Sequence, residues 1–374
     1  MRRRDWLRFS LASPLLLLES GCSERSGQPA LAAGWAAGPQ ESLRRAARYL
    51  WERQAPDGGW HSQTYGLLRS GQSLTPFVLE ALLRVPPDVY GPATGPMDRA
   101  IAFLLRGVNG EGAVGRMDPG LEDYPTYATS LAARILRRAL RNAAPSIGYL
   151  RRQQFSEENG WKPKDPAYGA WGMGGEPRRP PEPGHVDLSM TRHALQALAE
   201  AGVPPGDPAF RRARVFVERC QNYAPERPEA ADGGFCFSTV VLDANKAGRD
   251  GARFRSYGTA TADGILCLLA SGCSPRDERV RAAARWLAAH HRPDGAPGFA
   301  GEAYQRWTRG LRFYYAAASA EAFRRVGIAG AASLAEGLIR TQRPDGSWLN
   351  EESLVKEDDP LIATGFAVRA LESA

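Results

Sequence analysis

The chain has 374 residues, 43% of them hydrophobic, enough apolar material for a large buried core. Its formal charge is +7, but the basic residues are spread along the chain and form no stripe interleaved with aromatic residues, which argues against nucleic-acid binding. Only four of the 48 basic residues are Lys (Lys162, Lys164, Lys246 and Lys356), and no Cys-x-x-Cys occurs, which argues against a zinc ribbon or a dithiol redox motif.

The first element in chain order is a targeting segment, residues 1–32. Arg3-Arg4-Asp5-Trp6-Leu7-Arg8 resembles the twin-arginine export signal, and Phe9 to Leu18 supplies a short apolar stretch. That stretch is too short for a mature membrane span, which needs about 20 residues. Leu18-Glu19-Ser20-Gly21-Cys22 resembles a lipoprotein cleavage site, at which Cys22 would carry the lipid, while Ala30-Leu31-Ala32 offers an alternative small-x-small site. The expectation is an exported protein of the periplasm or cell envelope, touching the membrane only through a candidate lipid anchor. Residues 33–374 are expected to form a single domain. The other thiols, Cys220, Cys236, Cys267 and Cys273, read as ordinary buried cysteines.

From there the chain repeats a cadence: a helical run ending in Gln, a polar turn, then Gly and an aromatic residue. Tyr49 to Gln54 leads to Asp57-Gly58-Gly59-Trp60, and Tyr149 to Gln154 leads to Asn159-Gly160-Trp161. Phe216 to Gln221 leads to Asp232-Gly233-Gly234-Phe235, and Leu338 to Gln342 leads to Asp345-Gly346-Ser347-Trp348. Worn copies follow Phe103 and Trp286. The Asp-Gly and Asn-Gly turns supply positive φ, the aromatic can cover a helix end, and the Gln amide can bond backbone groups of a neighbouring terminus. The helix before each Gln is studded with charge, as in Ser42 to Leu50 and Arg211 to Val217. The helix after each turn is bland, as in Tyr257 to Ala262, Tyr314 to Ala320 and Ile362 to Val368. Alternating charged and bland helices predict two concentric layers with the bland ones inside.

The Gln…Gly-x-Trp cadence resembles the repeat of squalene/hopene cyclases and protein prenyltransferase β-subunits. The resemblance runs from about Glu41 to the C-terminus and implies an all-α fold, an α/α toroid of about six helix pairs around a central cavity. Val186-Asp187-Leu188-Ser189-Met190-Thr191, Cys220-Gln221-Asn222, Ser256 to Thr261 and Arg343 to Trp348 are similar to a bacterial group of exported squalene-cyclase-repeat proteins of unassigned activity. In such a ring the inner helices would start at the cavity mouth, where their dipoles favour anions.

The candidate site residues are those opening the bland helices. Asp187 is an N-cap, a cavity carboxylate, or both; Asp358 and Asp359 are candidate acids or caps for a helix starting at Pro360. Tyr124, Tyr127, Trp171, Thr191, Tyr257, Thr261, Arg312, Tyr314 and Tyr315 are candidate ligand contacts. His193 reads as a packed core histidine, and Tyr168 to Glu176 as a Gly/aromatic loop able to cover the cavity. The acid motif of the cyclases is altered here to Lys356-Glu357-Asp358-Asp359-Pro360, and the zinc ligands of the prenyltransferases are not matched by Asp232 to Cys236. Where the exported group tends to have His-Thr after a Tyr run, this chain has Ala316-Ala317. The expectation is therefore a toroid that binds an apolar small molecule, a glycan or an envelope protein without metal or cofactor. The alternative is a cyclase-like enzyme acting on an isoprenoid-type substrate by acid catalysis.

Overall fold

The structure is a computed structural model that describes residues 38–374 except 92, 93, 119 and 227–230. Residues 1–32, the expected targeting segment, and Cys22 with them lie outside the described residues. In chain order, α1 (Pro39–Trp51) is an outer helix and α2 (Leu74–Leu82) an inner one. The alternation continues through α3 (Thr94–Gly107) and α4 (Pro125–Arg138), then α5 (Ala144–Gln153) and α6 (Leu188–Glu200). It goes on with α7 (Pro208–Arg219) and α8 (Gly258–Ala270), between which lies a two-residue hairpin pairing β1 (Arg249–Asp250) antiparallel with β2 (Arg253–Phe254). Then come the outer α9 (Glu278–Ala289), a short helix α10 (Glu302–Gly310), the inner α11 (Arg312–Val326), the outer α12 (Ala331–Ile339) and the inner α13 (Pro360–Ser373). The inner helices pack in the cyclic order α2, α4, α6, α8, α11, α13 and back to α2, so the ring is closed. The fold is an all-α toroid of six helix pairs.

The cadence is the fastening of this ring. The Trp60 indole N–H donates to the Leu50 carbonyl (2.7 Å), Trp171 to Leu150 (2.7 Å) and Trp348 to Leu338 (2.9 Å), each covering the end of the preceding outer helix. Each Gln amide donates twice, once into its own turn and once to a carbonyl in the first turns of the next outer helix. Gln54 reaches Gly58 and Pro96, Gln154 reaches Gly169 and Ala209, and Gln221 reaches Gly233 and Arg279. Gln342 reaches Gly346 and Ser42, which ties the last outer helix to the first.

The second copy departs from the expected register. Gln154 and the turn glycine meet at Gly169, and the aromatic is Trp171, whereas the Trp161 indole donates to the Arg178 carbonyl (3.0 Å). The reason is backbone proximity. Gly169 has φ +88°, and a Cβ there would sit 1.8 Å from the Arg212 carbonyl oxygen of α7; Gly346 likewise abuts Arg45 of α1. Only the glycine that meets the next outer helix can close the unit. Trp171 is thus a fully buried fastening residue and does not line the cavity described below.

Every inner helix also contributes one buried Asp, Glu or Arg: Glu80, Arg134, Arg192, Asp263, Glu321 and Arg369, three acids and three bases. Glu80 lies 2.8 Å from Arg84, 3.3 Å from Arg134 and 3.4 Å from Arg369. Arg192 lies 2.8 Å from Asp263, and the Gln196 amide donates to Glu321 (2.9 Å). Burial by itself raises the Glu80 carboxyl, but Arg369, Arg84 and Arg134 outweigh it and hold the group well below its ordinary range. Side chains from all six inner helices thus meet in a charged cluster inside the ring.

Candidate functional site

A cavity of roughly 590 Å³ opens among the N-terminal ends of the inner helices. The cluster of charges begins at its inner end, where Tyr314 lines the cavity and donates its hydroxyl to Asp263. The walls are largely apolar and aromatic, including Leu74, Phe77, Met190, Phe237, Trp307 and Phe366. Of the sequence candidates, Tyr124, Tyr127, Asp187, Tyr257 and Tyr314 line this space, and so does His193. Met173 is the contribution of the Gly/aromatic loop; its carbonyl accepts the Thr126 N–H (2.9 Å), fixing the loop against the start of α4.

The other candidates are placed elsewhere, for identifiable reasons. Thr191 and Thr261 turn their hydroxyls outward, accepting the backbone N–H of Trp171 (3.3 Å) and Phe235 (3.1 Å). Thr75, Thr129 and Thr364 do the same for Trp60, Val114 and Trp348, so this is a feature of the repeat. Arg312 donates to the Thr341 hydroxyl (2.9 Å) at the outer layer, and Tyr315 is a core residue beside His291 (3.1 Å). Asp359 is the N-cap of α13, accepting the Leu361 N–H (2.9 Å) and the Ser62 hydroxyl (2.5 Å). Asp358 receives the Tyr65 hydroxyl. These two carboxylates anchor the segment before α13 and do not line the cavity. In the same way Asp232 accepts the Gly234 N–H (3.0 Å) as a turn residue, and Cys220, Cys236, Cys267 and Cys273 are free thiols.

Asp187 does both of the jobs weighed for it. One oxygen caps α6 through the Met190 N–H (2.8 Å), and the other lies 2.7 Å from His185 Nε2. That hydrogen bond raises the His185 pKa, against the opposing effect of burial. The imidazole and the carboxylate therefore satisfy each other at the cavity wall. Helix dipoles at the mouth are met from within the chain. Asp123 accepts the Ser73 N–H at the start of α2 (3.1 Å), and Glu357 accepts those of Phe313 (3.0 Å) and Tyr314 (2.8 Å) at the start of α11.

Sequence reasoning missed Asp263, Glu357, His185 and Lys356. Burial pushes the Asp263 carboxyl up to about 6 even though Arg192 and the Tyr314 hydroxyl pull it down. A fully buried acid, hydrogen-bonded to a phenol in the cavity wall, can pass a proton through that phenol to a bound molecule. The sequence signal was a lone Asp in the otherwise bland run Gly258 to Ala270.

Three-dimensional comparison finds this fold in proteins of different activities. A type II terpene cyclase, MstE from Scytonema, matches with TM-score 0.56 at 13% identity over 89% of this chain and 97% of its own. An unsaturated glucuronyl hydrolase from Bacillus sp. GL1, responsible for glycosaminoglycan degradation, matches with TM-score 0.56 at 14% identity over 88% and 94%. A protein from Actinoplanes matches with TM-score 0.52 at 19% identity over 90% and 99%. The α/α-toroid architecture is shared. At these identities the likeness establishes the fold alone. No protein-family profile matches the sequence, and no curated protein sequence matches it.

Proposed function

We propose that the protein binds an apolar, isoprenoid-sized molecule in the cavity at the N-terminal end of its toroid. The carrying observation is the wall: aromatic and aliphatic side chains from the inner helices enclose roughly 590 Å³, within the range of about 300–1,000 Å³ typical of small-molecule sites. The terpene cyclase neighbour, one form of which holds geranylgeranyl dihydroxybenzoate, supports an isoprenoid-type ligand. Farnesol and squalene should quench the fluorescence of Trp307 in the cavity wall saturably. A linear, non-saturating response with both would sink the reading.

A second reading, cyclase-like acid catalysis, is favoured by Asp263. Below about pH 6 Asp263 holds its proton, can donate it to the Tyr314 oxygen, and frees the Tyr314 proton for an alkene carbon. The alkene would become a carbocation facing the aromatic wall. In this reading turnover falls as pH rises through about 6 and is lost in both Asp263→Asn and Tyr314→Phe, measured as cyclised product from geranylgeraniol. Full turnover in either variant rules the relay out.

Export through the segment 1–32 and lipidation at Cys22 are proposals as well. Replacing Arg3 and Arg4 by Lys should leave the precursor inside the cell; unchanged export would reject the twin-arginine reading.

A further inference from the structure

Lys356 stands apart from the other cations of the cavity wall. Lys246 donates to the Asp243 carbonyl (2.8 Å) and His185 is held by Asp187. The Lys356 ammonium has no hydrogen bond or ion pair among the described residues. It lies over two aromatic faces, 5.6 Å from the Tyr65 ring and 5.7 Å from Tyr124. It is half-buried and lines the cavity.

Its backbone is strained. Among the described residues, the non-glycine residues with positive φ are Tyr124 (47°), Leu140 (54°) and Lys356 (66°). Leu140 is on an exposed turn, whereas Tyr124 and Lys356 touch each other at the cavity. The chain fixes Lys356 from its C-terminal side. The Glu357 carboxylate is bound to the start of α11, Asp358 to Tyr65, and Asp359 to Ser62. Left-handed backbone in a long side chain is unfavourable and persists only where the surroundings impose it. Here its effect is to hold an ammonium against a largely apolar cavity wall with, among the described residues, no carboxylate within ion-pair distance.

We propose that Lys356 is the counter-ion for the anionic head, a carboxylate or a phosphate, of an amphiphile whose apolar part fills the cavity. This rests on the apolar-ligand reading above and adds the chemistry of the head. Such a contact is a charge-assisted hydrogen bond, shielded on one side by the Tyr65 and Tyr124 rings.

The test compares matched pairs by calorimetric titration of the purified protein: palmitate with hexadecanol, and farnesyl phosphate with farnesol. The anionic member of at least one pair should bind about tenfold or more tightly than its alcohol, and which pair shows it identifies the head. In Lys356→Met that preference should shrink to within about twofold. Lys356→Gly, which accepts the left-handed backbone, should lose the preference too and melt at a higher temperature than the parent. Alcohols and anions binding equally to the parent overturns the proposal but leaves the apolar cavity standing. A preference retained in both variants, or a lower melting temperature for Lys356→Gly, also overturns it. Binding of none of the four compounds overturns the cavity reading itself, and this inference with it.

Discussion

Glu80→Gln should destabilise the protein by about 3–5 kcal/mol, the usual cost of removing one partner from a buried ion cluster. The change is nearly isosteric, so packing is preserved and the loss is electrostatic. Without the carboxylate, Arg84, Arg134 and Arg369 face one another inside the ring, with Glu321, Glu200 and Glu372 as their remaining counter-charges. Against a typical total stability of about 5–15 kcal/mol, this is a large fraction. Urea denaturation at neutral pH measures it, and a loss below about 1 kcal/mol would mean that the cluster is far better hydrated than its burial indicates. The pH dependence has two signs. Glu80 and Glu321 are held below their ordinary range, so their contributions are present at neutral pH and are lost only as the pH falls through those lowered values. Asp263 is held above its ordinary range, so it favours the folded state in acid, and that contribution is lost as pH rises through about 6.

Trp171→Ala should cost about 3–5 kcal/mol, as for other fully buried large-to-small changes involving aromatic side chains. The indole is completely buried and its N–H holds the end of α5 through the Leu150 carbonyl. Trp171→Phe keeps most of the apolar volume and loses that bond, so a cost nearer about 1 kcal/mol is expected. Trp307→Ala, at a half-buried ring in the cavity wall, should instead weaken farnesol binding with little loss of stability. If Trp171→Ala left the melting temperature unchanged and altered ligand binding, the residue would belong to the cavity after all.

The ring was legible because its fastening is local. Gln, Gly and an aromatic recur beside the turns they hold, and the charged and bland helices differ in composition along their whole length. The second unit misled because two Gly-aromatic strings follow Gln154; Gly169-Ala170-Trp171 keeps the Gly-x-aromatic spacing of the other units and meets Arg212 of the next outer helix, whereas Gly160-Trp161 does neither. Thr191 and Thr261 stand at helix starts, as mouth residues should, but the direction of a hydroxyl is set by the preceding aromatic's N–H and cannot be read from position. The charged cluster left a trace: each bland helix carries one buried Asp, Glu or Arg. Nothing in any single helix says that the six converge, since that follows from ring closure. Lys356 was hidden in the string compared with the cyclase acid motif, and its strain is a property of how Glu357, Asp358 and Asp359 are tied down.

The claim that the cavity takes up an apolar molecule is tested most directly by native mass spectrometry of protein purified without detergent and challenged with farnesol. Ser189→Phe, which adds a ring at a cavity-lining position, serves as the comparison. The account predicts a stoichiometric small-molecule adduct on the parent protein and none on the filled variant. No adduct on the parent, or equal adducts on both, would contradict it.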